Sequence, residues 1–427
     1  MAQTRWQAYL DALKGDFVKL CRLEFLQPDG SVAYVLDNNA KNKRSGAFIQ
    51  SGKLTVNLQN GQRRQASVSI VNTDAEYDYA VGKVWFGQEI RLSMGLVLPD
   101  GTDFYLPQGL FLIKDPKEIL EPGKREVSYP LVDKWANLDG TLYGRLDGAY
   151  EVPLNSDIFG AIDSLLQEDR GNGQPVDRMA PIYTDYYNSM TTTLPDGTTI
   201  AQTLSPYTLR VDSDTGTLAQ VILGLNTMLA GWIGYDATGR LRLDPSQDDI
   251  IDTGKPIQWA FTPTEKQWLG ATYTVKNSET YNDVIIRGEA LGETPQANGR
   301  ATNYDPRSDT NVYLIGRKSY VESKQGYYTE DICKAYAEFK LKRLAVLQKS
   351  VSIESTQMFH LNENNLVSIR RIDKPGAPVE RHLIQGFSIP IAQAGNMTID
   401  AVAVNEFPSA TITSLPWETE EDDDILA

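Results

Sequence analysis

The sequence predicts an α+β protein that is mainly β, with two β-barrel regions on either side of an α+β insertion. Three observations predict this fold class. Apolar and polar residues alternate through residues 16–139, helical spacing replaces the alternation between residues 140 and 262, and alternation returns from residue 263. We therefore predict domains at residues 1–139, 140–262 and 263–415, followed by an acidic solvated tail at residues 416–427.

The first β-region is preceded by a short helix. Apolar residues share one face of this helix, namely Trp6, Tyr9, Leu10 and Leu13. The alternating segments that follow are divided by turn sequences such as Pro28-Asp29-Gly30 and Pro99-Asp100-Gly101. Many short strands at this spacing are typical of a sandwich or barrel.

The insertion mixes helices with short strands. Ser156 is placed to cap a helix whose apolar stripe consists of Ile158, Phe159, Ile162, Leu165 and Leu166. The segment Thr217–Tyr235 carries no charge and is nearly long enough to span a bilayer. Its polar residues Gln220, Asn226 and Thr227, with Gly231 as a possible C-cap, favour a buried helix followed by a hairpin.

The second β-region contains strands at residues 271–276 and 282–289, then a connection at residues 291–311 that we predict to be an exposed loop. Thr329 is predicted to cap a helix with Lys340 and Lys342 on its solvent side. Its helical spacing is kept by Ile332, Ala335, Tyr336, Phe339, Arg343 and Leu344. A hairpin turning at residues 374–378 and a last strand near Met397 complete this region.

Composition limits the possible functions. The 427 residues contain 41 Lys and Arg against 56 Asp and Glu, which gives a net charge of −15. Such a protein repels phosphate backbones, so specific nucleic-acid binding is not expected. Cys21 and Cys333 match no zinc or disulfide spacing, which indicates a reducing compartment at synthesis. The N-terminus lacks the pattern of a signal peptide.

The two histidines are the first candidates for chemistry. His360 lies near Glu363, and His382 follows Glu380 and Arg381, which suggests a metal centre or an acid–base pair. The spacing matches no zinc-ligand pattern, and the flanking apolar runs predict strands. We therefore predict that both histidines lie packed or exposed on a β-sheet.

Two other local motifs resemble ligand-binding loops but lack the required residues. The segment at residues 46–54 has glycines spaced too widely for a phosphate loop, and Leu54 replaces the hydroxyl residue. The segment at residues 211–217 lacks the remaining ligands of a calcium loop and favours helix capping. We predict no catalytic residues, no cofactor and no bound metal. A carboxylate pair for glycoside hydrolysis needs no local motif and stays open.

A weak internal echo connects the two β-regions. Residues 89–92 are followed by Leu106–Phe111 after a Pro-Asp-Gly turn, and residues 368–371 are followed by Leu383–Phe387 after a Pro-Gly turn. The separations differ by only two residues. Either the regions are duplicated barrels or two apolar hairpins are similar by chance.

The layout resembles the tail hub proteins of bacteriophages. The resemblance rests on the short first helix and on segments at residues 88–101, 108–113, 132–144, 281–289, 305–310 and 382–391, and it covers about residues 17–410. It implies two tube-type barrels per chain and a ring of three chains with pseudo-sixfold symmetry. Such a ring connects the tail tube to the tip and surrounds the DNA exit path.

The resemblance also implies partners and a location. We expect contacts with further copies of the chain, with a tail tube or distal tail protein, and with a spike, fibre or tape-measure protein. The chain is expected at the virion tail tip after synthesis in the host cytoplasm, without enzymatic activity and without a membrane span. The alternative is a β-rich glycan-binding or glycan-cleaving protein that uses the tyrosine-rich stretch Ile182–Tyr187 as a platform.

Overall fold

The computed structural model describes most of the chain. It covers residues 4–39, 47–80, 83–171, 173–193, 198–229, 231–245, 255–276, 278, 280–290, 295–324, 327, 330–345 and 348–404. Contacts between residues divide the chain into two compact units. One unit consists of Met1–Met190, Ala201–Thr272 and Ser352–Ala401, and the other of Thr191–Ile200, Tyr273–Val351 and Val402–Ala427.

In the described part of the first β-region, eight strands follow a short helix, α1 (Arg5–Ala12). The strands are β1 (Lys19–Leu26), β2 (Val32–Asp37), β3 (Ala47–Asn57), β4 (Arg64–Asn72), β5 (Glu89–Val97), β6 (Asp103–Ile113), β7 (Lys117–Glu121) and β8 (Lys124–Asp133). Their alternation puts one side chain in two into the core, as with Val68 and Ile70 of β4, which are fully buried. Between β5 and β6, Gly101 adopts the left-handed φ of 81° that the Pro-Asp-Gly turn requires.

Within the described residues, the insertion is built from two helices, 3₁₀ turns and short strands, and it begins with a 3₁₀ turn just before the predicted boundary at residue 140. Its elements are a 3₁₀ turn (Lys134–Asn137), β9 (Tyr150–Val152), α2 (Ile158–Leu166), β10 (Ile182–Tyr183), a second 3₁₀ turn (Asp185–Ser189), β11 (Thr191–Thr193), β12 (Thr199–Ala201), β13 (Leu209–Val211), α3 (Leu218–Leu229), β14 (Trp232–Tyr235) and β15 (Leu241–Asp244). The apolar stripes of α2 and α3 meet in one core with β14 and β15. Within the described residues, no helix is long and apolar enough to cross a membrane.

Strands return at residue 257, before the predicted boundary at residue 263, because the first strand of the second β-region pairs with a later strand of the same region. Its elements are β16 (Ile257–Phe261), β17 (Trp268–Lys276), β18 (Asp283–Arg287), β19 (Asn298–Thr302), α4 (Val312–Ile315), β20 (Ser319–Ser323), α5 (Glu330–Leu344), β21 (Gln348–Ser355), β22 (Leu366–Arg370), β23 (Val379–Ile391) and β24 (Met397–Ala403). Strands β19, β18 and β20 form a separate sheet in that order. Helix α5 covers one face of this sheet, where Cys333, Ala337 and Leu341 pack with Val284 and Ile286.

Fourteen of the described strands form one large, mainly antiparallel sheet. Its order is β17-β21-β24-β23-β3-β4-β8-β6-β5-β1-β2, with β22 pairing to β23, β16 to β22 and β7 to β8. The two β-regions meet where β3 pairs with β23, from Gly52↔Ile391 to Asn57↔Gly386. The predicted fold class, α+β and mainly β, is confirmed. The division into two barrels stays a prediction.

Helix α1 packs against the large sheet through the face predicted from the sequence. Tyr9 and Leu13 are fully buried, while Trp6 keeps 44% of its surface exposed. Thr4 caps the helix by accepting a hydrogen bond from the Gln7 amide. The Gln267 side chain donates to the Leu13 carbonyl oxygen at 2.8 Å and ties the end of the helix down.

Three local expectations differ from the structure. Asp157, and not Ser156, caps α2 by accepting from the amides of Phe159 and Gly160, because a carboxylate reaches both free N–H groups at once. The connection at residues 291–311 contains strand β19, whose Ala301 is buried under α5. The buried stripe of α5 includes Cys333, Ala337 and Leu341, and Lys340 pairs with Glu322 at 3.4 Å. The predicted cap Thr329 and the predicted tail at residues 416–427 lie outside the described residues.

The internal echo is not kept in strand register. Arg91 of β5 lies opposite Leu110, far from the turn, whereas Arg370 of β22 lies opposite Val379, the first residue of β23. Both hairpins exist, but the similar sequences occupy different positions along them. The duplication therefore gains no support from this pair of segments.

Candidate functional site

Among the described residues, no cluster of three or more His, Cys, Asp or Glu side chains could hold a metal ion. Cys21 and Cys333 are buried free thiols. Each histidine instead has a packing environment of its own.

His360 lies in an aromatic cluster that attaches helix α1. Its ring is 5.8 Å from that of Trp6, 5.6 Å from that of Tyr9 and 5.6 Å from that of Trp259. Its Nδ1 atom is 3.1 Å from the Tyr9 hydroxyl. Burial lowers the pKa of His360 to about 4, because the charged imidazolium would be poorly solvated there. The sequence placed His360 on a β-sheet, whereas it lies in a turn between β21 and β22, where it is a neutral residue that packs against α1.

His382 lies on β23, where it is paired with Val367 of β22. Only 1% of its surface is exposed, and its Nε2 atom is 3.5 Å from a carboxylate oxygen of Glu380. Glu380 is held by Arg371 at 3.2 Å and by Lys374 at 2.6 Å. Burial lowers the pKa of His382, while the Glu380 carboxylate opposes this effect. The carboxylate is thus already neutralised by two cations and is poorly placed to act as a base.

A buried polar junction connects the first β-region to the insertion at the segment Val132–Trp135. The Asp133 carboxylate accepts hydrogen bonds from the backbone amides of Arg63, Arg64 and Trp135, at 2.8, 2.9 and 3.1 Å. Burial raises the pKa of Asp133 to about 6, and the three amides partly offset this effect. A raised carboxyl pKa is a common sign of a catalytic acid. Here the three hydrogen bonds to the carboxylate come from backbone amides, so Asp133 holds the chain in place.

The next residue, Lys134, continues the junction into the insertion. Its ammonium group, fully buried, pairs with Asp177 and donates to the Gly239 carbonyl oxygen at 3.2 Å. Asp177 also accepts from the Tyr235 hydroxyl at 2.9 Å and from the Met179 amide at 2.8 Å. A buried ion pair whose remaining hydrogen bonds are satisfied fixes one relative geometry of the segments it joins.

A second buried junction joins the two β-regions. Arg64, at the start of β4, pairs with Glu363 and donates to the side chain of Asn362 at 3.0 Å. Its other terminal nitrogen donates to the Gln108 carbonyl oxygen of β6 at 2.8 Å. Arg63 lies 4.0 Å from the same Glu363 carboxylate. Glu363 is close to His360 in the sequence, but in the structure it pairs with the two arginines.

Sequence reasoning missed this junction because its partners are about 300 residues apart and carry no shared motif. The available signal was the pair Arg63-Arg64 immediately before an alternating strand, since adjacent cations at a strand entrance need compensation if buried. Arg63, Arg64 and Glu363 expose 2%, 1% and 7% of their surfaces.

The two rejected motifs have structural roles. Residues 47–57 form strand β3, and Gly46 lies outside the described residues. At the end of the segment 211–217, the Thr217 hydroxyl accepts from the Gln220 amide at 3.2 Å, and the Gln220 side chain accepts from the Thr217 amide at 3.2 Å. This reciprocal pair is a capping box for α3 and agrees with the predicted capping role.

The tyrosine-rich stretch belongs to the insertion core. Tyr183 stacks on Phe159 with ring centres 4.3 Å apart and donates to Asp163 at 2.7 Å. Tyr187 exposes 1% of its surface. Rings used in this way do not present the open platform that the glycan hypothesis required of residues 182–187.

Comparison with known proteins identifies the fold. No family profile and no curated protein matches the sequence. Solved structures do match. A tail protein from Neisseria meningitidis MC58 is 9% identical with a TM-score of 0.56, and the alignment covers 91% of this chain and 97% of that one. The 43 kDa tail protein of prophage MuSo2 from Shewanella oneidensis is 12% identical with a TM-score of 0.55, covering 91% and 98%.

A third match is the prophage tail protein gp18 from Listeria monocytogenes EGD-e. It is 9% identical with a TM-score of 0.53, and the alignment covers 92% of this chain and 96% of that one. At these identities the likeness shows a shared fold. The resemblance to phage tail proteins inferred from the sequence is confirmed at that level, over nearly the full length of each chain.

Proposed function

We propose that this chain is a structural hub protein of a phage tail tip. Three copies form a ring of pseudo-sixfold symmetry that connects the tail tube to a spike or fibres and surrounds the path by which DNA leaves. The observation that carries the proposal is the end-to-end match with three tail proteins of similar length. Function is inferred here from a shared fold, which is an argument by analogy.

The continuous sheet supports the ring. Strands β17 and β2 stand at opposite ends of the strand order of the large sheet, which contains strands from both β-regions. A cyclic assembly joins two different surfaces of each chain, and a sheet with two different ends supplies them. Three chains, each with two β-regions, would then present six similar segments to a sixfold tube.

The buried junctions support a mechanical role. Arg64 and Glu363 fix one β-region to the other, and Lys134 and Asp177 fix the insertion to the first β-region. A connector that transmits force between a tube and a tip needs such fixed geometry. We assign no reaction to this chain, and we place the insertion, about residues 140–262, outside the ring.

The acidic composition suits a DNA path. Each Lys or Arg facing a bore would release counterions from passing DNA and retain the backbone, whereas acidic or neutral walls would not. With a net charge of −15 the chain can supply such walls. In the assembled ring, we expect more Asp and Glu than Lys and Arg along the bore.

Mass photometry and electron microscopy of the purified full-length chain test the proposal. We expect a species of three times the 47.5 kDa chain mass, and class averages of a ring with the insertion at its periphery. The matched control is the chain with Leu120→Ala, a substitution at an exposed side chain of β7. A monomer at micromolar concentration, or a ring whose bore is lined by Lys and Arg, contradicts the proposal.

A further inference from the structure

A cleft of about 190 Å³ opens on the surface of the larger unit. Its wall includes the segment Trp85–Glu89, which leads into β5, and Tyr143 and Arg170 from the insertion. Neither junction described above contributes to it. The cleft is smaller than the sites of drug-sized ligands, which measure about 300–1,000 Å³, and has room for a group of one ring.

The rim of the cleft is aromatic and exposed. Trp85 exposes 57% of its surface and Phe86 exposes 61%. The Phe86 ring lies 6.2 Å from the Tyr143 ring at an angle of 70°, and the Arg170 guanidinium lies 5.1 Å from the centre of the Tyr143 ring. Large exposed rings that cluster on a protein surface mark contact sites, because burial of their faces is favourable.

The floor of the cleft is polar and partly unsatisfied. Gln88 exposes 6% of its surface, and its Nε2 atom donates to the Leu26 carbonyl oxygen at 3.3 Å. Within the described residues, its Oε1 atom and the Arg170 Nε atom are buried without a hydrogen-bond partner. Beside them, Arg178 pairs with Glu89 and donates to the Pro28 carbonyl oxygen at 3.0 Å. Unpaired buried polar atoms destabilise a fold unless something satisfies them.

The ligand that fits must combine three properties. It must donate a hydrogen bond to a polar acceptor of the cleft wall, accept one from a guanidinium, and offer an apolar face to the rings of Trp85 and Tyr143. An apolar side chain fails the first two requirements, and an inorganic anion fails the first and third. A pyranose meets all three, because its hydroxyl groups both donate and accept and its C–H face is apolar.

We propose that this cleft binds a pyranose sugar. Glu89 and Arg178 provide a further acceptor and donor at its edge. The site is separate from the predicted platform at residues 182–187, and sugar binding goes beyond the hub role. Trp, Tyr and Arg are also enriched at the centres of protein interfaces, so a protein contact is the rival that the experiment must separate.

Saturation-transfer NMR on the full-length protein tests the proposal, with glucose, galactose and N-acetylglucosamine each at 5–10 mM, on the order of the weak affinity of a one-ring ligand. We expect transfer to the ring protons of at least one sugar. Trp85→Ala should remove the signal, and Arg178→Gln, which removes a guanidinium donor at the edge of the cleft, should reduce it at least tenfold. Tyr313→Ala, at an aromatic residue that is 63% exposed outside the cleft, is the control and should leave it unchanged.

The outcomes are distinct. Absence of transfer from all three sugars, or transfer that survives Trp85→Ala, overturns the proposal. Loss of assembly or of a bound partner protein in Trp85→Ala, without a sugar signal in the parent, assigns the cleft to a protein interface and also overturns it. Thermal melting of each variant verifies the fold. Sugar binding and particle mass are measured in separate experiments. A negative sugar result therefore does not affect the hub proposal, which mass photometry and microscopy test.

Discussion

Replacing Glu363 by Gln tests whether the junction between the two β-regions contributes to stability. The substitution keeps the size and one oxygen acceptor but removes the carboxylate that pairs with Arg64, and it leaves two arginines with 2% and 1% exposure near a neutral amide. Removing one partner of a buried pair costs about 3–5 kcal/mol, because the remaining charge is desolvated and uncompensated. We expect a loss of unfolding free energy in this range.

Urea unfolding followed by tryptophan fluorescence and far-ultraviolet circular dichroism measures the effect, and coincident transitions justify a two-state treatment. The matched control is Asp212→Asn, which breaks an ion pair with Arg210 whose side chains are 79% and 63% exposed. This control should change the unfolding free energy by less than about 1 kcal/mol. The double variant Arg64→Met with Glu363→Gln removes both charges and should lose less than the sum of the single variants.

Two results would refute the reasoning. If Glu363→Gln stays within about 0.5 kcal/mol of the parent, the pair does not hold the β-regions together. If the double variant loses the full sum, the two side chains act independently, although they are in contact.

Two further predictions concern pH and the histidines. The pKa of Asp133 is raised from 3.8 to about 6 in the folded state, so the folded state holds a proton that the unfolded state has lost. The unfolding free energy should therefore fall by about 3 kcal/mol as pH rises from about 4 to 6. Urea titrations at several pH values should show this slope, and Asp133→Asn should remove it. The pKa of His360 is lowered from 6.5 to about 4, so its contribution is complete above pH 6.5 and is lost as pH falls towards 4. The double variant His360→Gln with His382→Gln should fold and should lose this dependence of stability on pH between about 4 and 6.5. Elemental analysis that finds stoichiometric metal in the parent and none in the variant would contradict the structural role.

The sequence predicted elements whose pattern is local. The alternation of β4 and the stripe of α2 appear in the structure because each pattern reports one buried face. The cap of α2 was placed one residue too early, since Ser156 and Asp157 are both good caps and only backbone geometry decides between them. Strand β19 was read as a loop because it is short and lies in a Gly-, Pro- and Asn-rich stretch.

Long-range contacts could not be predicted. The pairing of β3 with β23 and the contact of Arg64 with Glu363 join residues about 300 positions apart, and no local rule specifies such partners. The cleft was missed for the same reason, because the loop that carries Trp85 and the insertion residue Arg170 meet only in the folded chain.

The pairing of β3 with β23 also determines when the protein can finish folding. During synthesis, β3 leaves the ribosome roughly 320 residues before its neighbour β23, a delay of about 15–60 s at translation rates of ~5–20 residues per second. Throughout this interval one edge of β3 stays open while β4 already covers the other. An open edge recruits any available strand, so nascent chains on one messenger are at risk of pairing with each other. The C-terminal hairpin therefore acts as the closing step of biogenesis, and premature termination before residue 379 would release a chain prone to aggregation.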